Sequence, residues 1–327
     1  MDGSAIRVEG LKKRFEEVVA LDGIDLDVDR GTVFGLLGPN GAGKTTAIRI
    51  LATTLSADGG HASVLGFDVA TQADSVRRRI GLAGQYAAVD PNLTGRENLR
   101  MTGILAQLPR PQILPRADEL LRRFELTDAG DRPVRTYSGG MRRRLDIAAS
   151  LVQRPAVLFL DEPTTGLDLT SRNELWDMIR ELVQDGTTVL LTTQYLEEAD
   201  QLADRIAVVD GGQVIANDTP AALKADLGKT VVELGFAADA DAERAVALTQ
   251  PVVEGAVERE GDLVKVSADR GAHALVEVLR VLDADGMEPI SLTVREPSMD
   301  DVFLKLTGHH AEDAESGPPA KRSRGAA

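Results

Sequence analysis

Residues 32–55 read TVFGLLGPNGAGKTTAIRILATTL, and the order of textures in that stretch decides the fold. TVFGLL (32–37) is a near-continuous apolar run, as expected of a strand buried on both faces of a parallel sheet. TTAIRILATTL (45–55) has its apolar residues at helical spacing. Between them, GPNGAGKTT (38–46) fits the pattern G-x-x-x-x-G-K-[ST]. Strand, glycine-rich turn and helix is the order a phosphate-binding loop requires. Gly38, Gly41 and Gly43 let the backbone wrap closely, so that N–H groups along Gly38, Pro39, Asn40, Gly41, Ala42, Gly43, Lys44, Thr45 and Thr46 can turn toward phosphate oxygens; Pro39 alone lacks the donor. The helix adds its positive N-terminal end. Lys44 can reach the β- and γ-phosphates as a point charge, and the Thr45 hydroxyl is placed for Mg²⁺. A chance match to this pattern arises in roughly one chain in a hundred of this length, and the flanking strand and helix make it rarer.

The same alternation continues outward. PAVLFLDEP (155–163) and TTVLLTT (187–193) read as two more buried strands, each followed by helical text: SRNELWDMIRELVQ (171–184) and YLEEADQLADRI (195–206). Upstream, AIRVEG and VVALDGIDLDV read as short β segments within residues 4–28. Residues 86–153 look more helical and more charged, with a proline-rich break at LPRPQILP (108–115) before the helix RADELLRRFEL (116–126). Alternating β and α elements with buried strands predict an α/β fold with a mostly parallel core sheet. The strand 158–162 ends in two carboxylates. Asp161 is positioned to hold Mg²⁺, directly or through water, and Glu162 to orient or deprotonate an attacking water. A nucleoside triphosphate and Mg²⁺ are therefore the expected ligands.

Composition bounds the rest. The 327 residues suggest about two domains. With a net charge of −15, nucleic acid is an unexpected partner, because polyanions repel an acidic chain. There are no cysteines, which excludes disulfides, thiolate zinc sites and a cysteine nucleophile. No apolar run approaches the roughly 18 residues of a membrane span, and MDGSAIRVEG lacks the apolar region of a secretory signal. A soluble, cytoplasmic chain is the expectation.

Several motifs in fixed order now point to a family. The chain resembles ATP-binding cassette (ABC) ATPases over residues 5–225. YSGGMRRRLDIAASL (137–151) is similar to the ABC signature, usually LSGGQ; Gln85 in GLAGQ resembles the Q-loop glutamine; TTGLD (164–168) resembles the D-loop, with Asp168 its acidic residue; Phe15 stands where the family has an adenine-stacking aromatic. The resemblance implies a P-loop NTPase nucleotide-binding domain with a parallel core sheet, a β-subdomain and a helical subdomain at about 86–153. It implies that Thr45, Gln85 and Asp161 face the metal. It also implies that Ser138, Gly139 and Gly140 meet the γ-phosphate held by a second copy, in a head-to-tail homodimer on a separate transmembrane permease. Segment 86–135 would dock that permease, from the cytoplasmic side of the membrane. Ser138 is also a good helix N-cap in its own right. The run Arg142, Arg143 and Arg144 reads as a basic, solvated helix face.

Two positions depart from the family pattern. Tyr137 and Met141 replace the usual Leu and Gln of the signature. Gln194, in TTQYLEEAD (192–200), stands where the family usually has a switch histidine. A Gln amide can donate a hydrogen bond but cannot carry charge or relay a proton, so Gln194 is expected to position and Glu162 to act as base, with Lys44 the third catalytic group. Within the family the likeness is nearest to the cytosolic subunits of daunorubicin/doxorubicin-type drug-resistance exporters of actinobacteria. It is carried by GLAGQYAAVD (81–90), LTGRENL (93–99), TYSGGMRRRLDIA (136–148), LLTTQYLEEAD (190–200) and REPSMDDVFLKLTG (295–308). That implies an anthracycline-like exported substrate bound mainly by the permease.

Beyond residue 229 the texture changes to β-α-β-β-α-β, the ferredoxin-like pattern of a small α+β domain at 230–308, followed by a closing helix. The cassette would thus span 1–229, and 309–327, lacking an apolar cluster, would be a disordered tail in which His309 and His310 are simply solvated.

Overall fold

Two twelve-residue strands, β1 (Ser4–Phe15) and β2 (Val18–Asp29), begin the chain as an antiparallel hairpin. The structure is a computed structural model that describes residues 3–85, 87–225, 230–253, 255–268, 271–295 and 298–307. β3 (Val33–Leu37) is buried at every position and leads through the glycine-rich loop into α1 (Lys44–Leu51). Then come β4 (Gly59–Val64), β5 (Phe67–Asp68), α2 (Ala73–Arg77) and β6 (Ile80–Ala83). A helical stretch follows: α3 (Gly95–Leu105), α4 (Arg110–Arg123) and α5 (Gly139–Ser150). The chain returns to the core with β7 (Val157–Asp161), α6 (Leu169–Gln184), β8 (Thr188–Thr193), α7 (Leu196–Leu202), β9 (Arg205–Asp210), β10 (Gln213–Asp218) and α8 (Pro220–Ala225).

The core sheet has the order β10-β9-β3-β8-β7-β6; only β10 runs antiparallel. A second, antiparallel sheet has the order β2-β1-β4-β5. The pleat divides each core strand between two apolar layers. Phe34, Leu36, Val157 and Phe159 face α1 and the antiparallel sheet, while Val33, Leu158 and Leu160 face α5, α6 and the α3–α4 pair. The long apolar runs of β3, β7 and β8 follow from that double burial.

The chain divides into two compact units, one ending at Pro220 and the other spanning Ala221–Gly308. The second contains β11 (Thr230–Gly235), α9 (Asp239–Thr249), β12 (Gly255–Glu260), β13 (Leu263–Ala268), α10 (Gly271–Ala284), β14 (Ser291–Arg295) and α11 (Met299–Thr307). Its sheet is fully antiparallel in the order β12-β13-β11-β14, the ferredoxin-like arrangement. Val232, Leu234, Val264, Val266, Val278 and Leu282 form its core. The expected boundary after residue 229 adjoins residues 226–229, and the expected tail is 309–327; both lie outside the described residues. No described helix is long and apolar enough to cross a membrane.

Two local expectations are corrected. The proline-rich segment is not a break: α4 starts at Arg110 and runs through it, with a proline in the first turn and Pro115 inside. A proline near a helix start removes an N–H that would lack a partner anyway. The helical text 195–206 stops early, at Leu202, and Arg205–Asp210 becomes β9, a parallel neighbour of β3.

Phe159, fully buried on β7, should be among the costliest residues to truncate. Phe159→Ala is expected to remove about 3–5 kcal/mol. Denaturant unfolding followed by the fluorescence of Trp176, the only tryptophan, should show a correspondingly lower midpoint.

Candidate functional site

Strands buried on both faces can offer polar groups only at their ends, so the chemistry collects where β3, β7 and β8 stop and just past the edge strand β6. At the end of β3, Gly41 (φ 85°) and Gly43 (φ 105°) take left-handed conformations that L side chains rarely adopt. A Cβ on Gly43 would land on the Ala20 carbonyl oxygen of β2, and one on Gly38 would land on the Val209 carbonyl oxygen of β9. The loop is thus fitted against neighbouring backbone with no room for side chains at these points. The Gly38 N–H donates to the Thr193 carbonyl (3.3 Å), which joins the loop to the end of β8.

Lys44, the first residue of α1, is buried, and its Nζ donates to the Gly38 (2.5 Å) and Pro39 (2.9 Å) carbonyls. Burial lowers its pKa from the ordinary lysine value; the nearby charges of Glu162 and Asp161 oppose that shift. Beside it, Thr45 Oγ1 donates to Asp161 Oδ1 (3.0 Å), and Thr192 Oγ1 donates to the same oxygen (2.6 Å). Glu162 follows with a left-handed φ of 47°. Its N–H donates to both the carbonyl (3.1 Å) and the hydroxyl (3.0 Å) of Thr192. Gln85, two residues past β6, donates from Nε2 to Glu162 Oε2 (3.3 Å), as does Thr165 Oγ1 (3.4 Å). Residues 38–46, Gln85, Asp161 and Glu162 therefore form one cluster, and Gln194, half-buried, directly follows Thr193 at its edge.

A second cluster holds the signature residues. Ser138 caps α5 by accepting the Met141 N–H (3.2 Å), and Asp168 caps α6 by accepting from Ser171 N (2.9 Å) and Oγ (3.1 Å). A Cβ on Gly140 would lie 2.7 Å from Ser171 Oγ, whereas one on Gly139 would meet nothing. The two helix ends thus abut, and Gly139 leaves the α5 end open. Phe15, at the end of β1, is 43% exposed, with the Lys13 ammonium 5.5 Å from its ring centre.

The site suits ATP and Mg²⁺. Thr45 and Asp161 supply hard oxygen donors that already converge. Mg²⁺ is typically held by one or two carboxylates, with water and substrate phosphates completing its shell.

Two residues escaped the sequence reading. Thr192 anchors both acidic residues; the only signal was a polar end on an otherwise apolar strand. The sequence groups Arg143 with Arg142 and Arg144 as a solvated face. That reading is corrected: Arg142 is exposed, Arg144 pairs with Glu125 and Glu174, and Arg143 is buried.

Comparison with known proteins agrees with this geometry. A family model described as ABC transporter matches residues 21–165, and one described as ATP-binding protein DrrA1-3-like, C-terminal domain, matches 219–307. The chain is 56% identical to the daunorubicin resistance ATP-binding protein DrrA2 of Streptomyces coeruleorubidus, over 97% of this chain and 99% of the relative. It is 51% identical to the daunorubicin/doxorubicin resistance ATP-binding protein DrrA of Streptomyces peucetius, over 98% and 97%. A dimeric ATP-binding cassette solved in a post-hydrolysis state with ADP and Pi matches with a TM-score of 0.60 and 25% identity, covering 65% of this chain and 98% of that one.

Thr192→Val keeps the shape but removes the hydroxyl that holds Asp161 and Glu162. ATP turnover should fall about tenfold, equivalent to ~1.4 kcal/mol on the barrier, while nucleotide affinity stays within about threefold in a binding titration. Because burial lowers the Lys44 pKa, ATP affinity should weaken as pH is raised through that depressed value, at lower pH than an exposed lysine near 10.5 would titrate. Fluorescent-nucleotide titrations across the alkaline range should show that limb in the native chain and a flat, weak response in Lys44→Met.

Proposed function

We propose that this chain, which belongs to the ABC transporter family as an ATP-hydrolysing subunit, works as one half of a head-to-tail homodimer that closes on two ATP molecules. Subunits of this kind dimerise and pair with a membrane permease. The observation that carries the reading is the convergence of Thr45 on Asp161, beside Glu162, at the mouth of the glycine-rich loop.

In this reading residues 38–46 wrap the phosphates, with backbone N–H groups and the Lys44 ammonium as donors. Phe15 stacks on the adenine. Thr45, Asp161 and Gln85 hold Mg²⁺, which when bound offsets the negative charge of phosphates and carboxylate. Glu162 takes a proton from the attacking water, or orients it, and Gln85 and Thr165 keep its carboxylate in place. Gln194 donates a hydrogen bond to the γ-phosphate or the water, without carrying charge. Ser138, Gly139, Gly140 and Asp168 complete the site of the other copy.

The substrate class follows from the relatives, which are daunorubicin and doxorubicin resistance proteins over nearly their whole length. The energy of ATP is coupled to export of an anthracycline-like drug bound mainly by the permease, with this subunit on the cytoplasmic face of the membrane. Met101, Ile104 and Leu105 on α3 and Leu114 on α4 are exposed apolar residues, which supports docking of the permease on segment 86–135 of the helical subdomain (about 86–153). Residues 230–308 are assigned as an accessory domain, distinct from the cassette of 1–229.

Glu162→Gln should abolish ATP turnover while ATP binding persists, read by phosphate release and nucleotide titration. Gln194→Ala should slow turnover; an unchanged rate would remove Gln194 from the switch role.

A further inference from the structure

Arg143 lies on α5, one turn from the open Gly139 end, and is only 8% exposed. Its guanidinium spends its donors on backbone. Nε donates to the Pro163 carbonyl (2.8 Å), Nη2 to the Asp161 carbonyl (3.3 Å) and Nη1 to the Gly84 carbonyl (2.5 Å). Nη1 also reaches Asp146 Oδ2 (3.2 Å), one turn along the same helix. The other oxygen of Asp146 accepts the Ala88 N–H (2.7 Å). The pair therefore grips both neighbours of Glu162, and it holds the chain on both sides of Gln85, at Gly84 and at Ala88.

We propose that Arg143, seated against Asp146, is a positioning residue for ATP hydrolysis. It fixes the two loops that carry Gln85 and Glu162, and ties their spacing to the α5 end. This rests on the roles given above to Glu162 and Gln85.

The geometry explains why arginine is required. Three carbonyls from two loops surround one side chain, and only a planar fork with several fixed donors reaches all of them. A lysine keeps the charge but offers donors from one point, so it can satisfy Asp146 and one or two carbonyls. Desolvation lowers the Arg143 pKa and raises that of Asp146; their mutual attraction opposes both shifts, as does the Ala88 N–H at Asp146. A buried pair of this kind is weak evidence of stabilisation by itself, and removing one partner strands the other's charge. Its directed hydrogen bonds to the loops are what assign it a positioning task. Because α5 begins at the signature, a shift of that helix end has a rigid path to both loops.

The test uses the full chain and five variants. Arg143→Lys retains the charge opposite Asp146. Arg143→Met/Asp146→Leu removes both charges and leaves none stranded. Gln85→Ala removes the group that Arg143 is proposed to place. Turnover at saturating MgATP is counted per nucleotide-binding site, with KM for ATP and the thermal midpoint measured on the same samples. Arg143→Lys and the double variant should each lose about tenfold or more in kcat, with KM within about threefold. Adding Arg143→Lys to Gln85→Ala should cost less than it costs in the native chain, because both changes act through one group. A native kcat in Arg143→Lys, or a loss of nucleotide binding and thermal midpoint in step with turnover in both variants, overturns the proposal. Glu162→Gln is run beside them. If it hydrolyses ATP at the native rate, the assignment of the base fails; if it is inactive while Arg143→Lys is native, only the positioning role fails.

Discussion

Double burial of the core strands is the constraint from which the rest of the molecule follows. β3, β7 and β8 are buried throughout, so a charged or hydroxylic side chain within them needs a partner or costs several kcal/mol. Such groups appear only at the strand ends: Thr188, bonded by the Gly31 N–H, opens β8, while Asp161 ends β7, Thr192 and Thr193 end β8, and Lys44 follows the loop after β3. Because these strands are parallel, all the stops fall on one edge of the sheet. The site is thus a consequence of the topology, as in other open parallel sheets that bind ligands beyond the carboxyl ends of their strands.

Crowding polar groups on one edge creates its own problem of charge. Asp161 and Glu162 are adjacent, in an acidic chain of net charge −15, at a site suited to a polyanion. The local remedy is dipolar as well as ionic. Asp161 is held by two hydroxyls, Glu162 by Thr165 and an amide, and Lys44 by loop carbonyls. These hydrogen bonds organise the carboxylates without cancelling their charge, which leaves Asp161 able to attract a cation. Global charge governs long-range encounter, whereas a fixed array of nearby dipoles governs the bound state.

What could be read from the sequence divides along the same physical line. Continuous apolar runs announced β3, β7 and β8, and a glycine pattern with one lysine announced the loop, because double burial and left-handed backbone each admit few residue types. β9 was hidden because RIAVVD continues the helical text of α7 without a break in polarity. The prolines of 108–115 suggested a break before the helix, yet α4 runs through Pro115, where Ile113, Ala117, Leu120 and Leu121 are buried along one helix. Arg143 was hidden by its neighbours: three arginines in a row look alike, and only the fold distinguishes exposed Arg142 from buried Arg143. The informative signal was Asp146, one turn later on the same face.

Arg143 and the two helix ends also bear on why such a site is divided between copies. The N-terminal end of α5 presents Gly139 openly, and Ser138 accounts for one of its first-turn N–H groups. Those donors are useful only when an anion is brought to them, which in the proposed dimer is the γ-phosphate on the partner's loop. The same helix, four residues beyond Gly139, grips the loops of its own site through Arg143. In the proposed dimer one helix therefore serves two sites: the partner's phosphate at its tip, and the loops carrying its own Gln85 and Glu162 through Arg143. On that proposal, closure over one nucleotide bears on the setting of the other, which links hydrolysis to assembly.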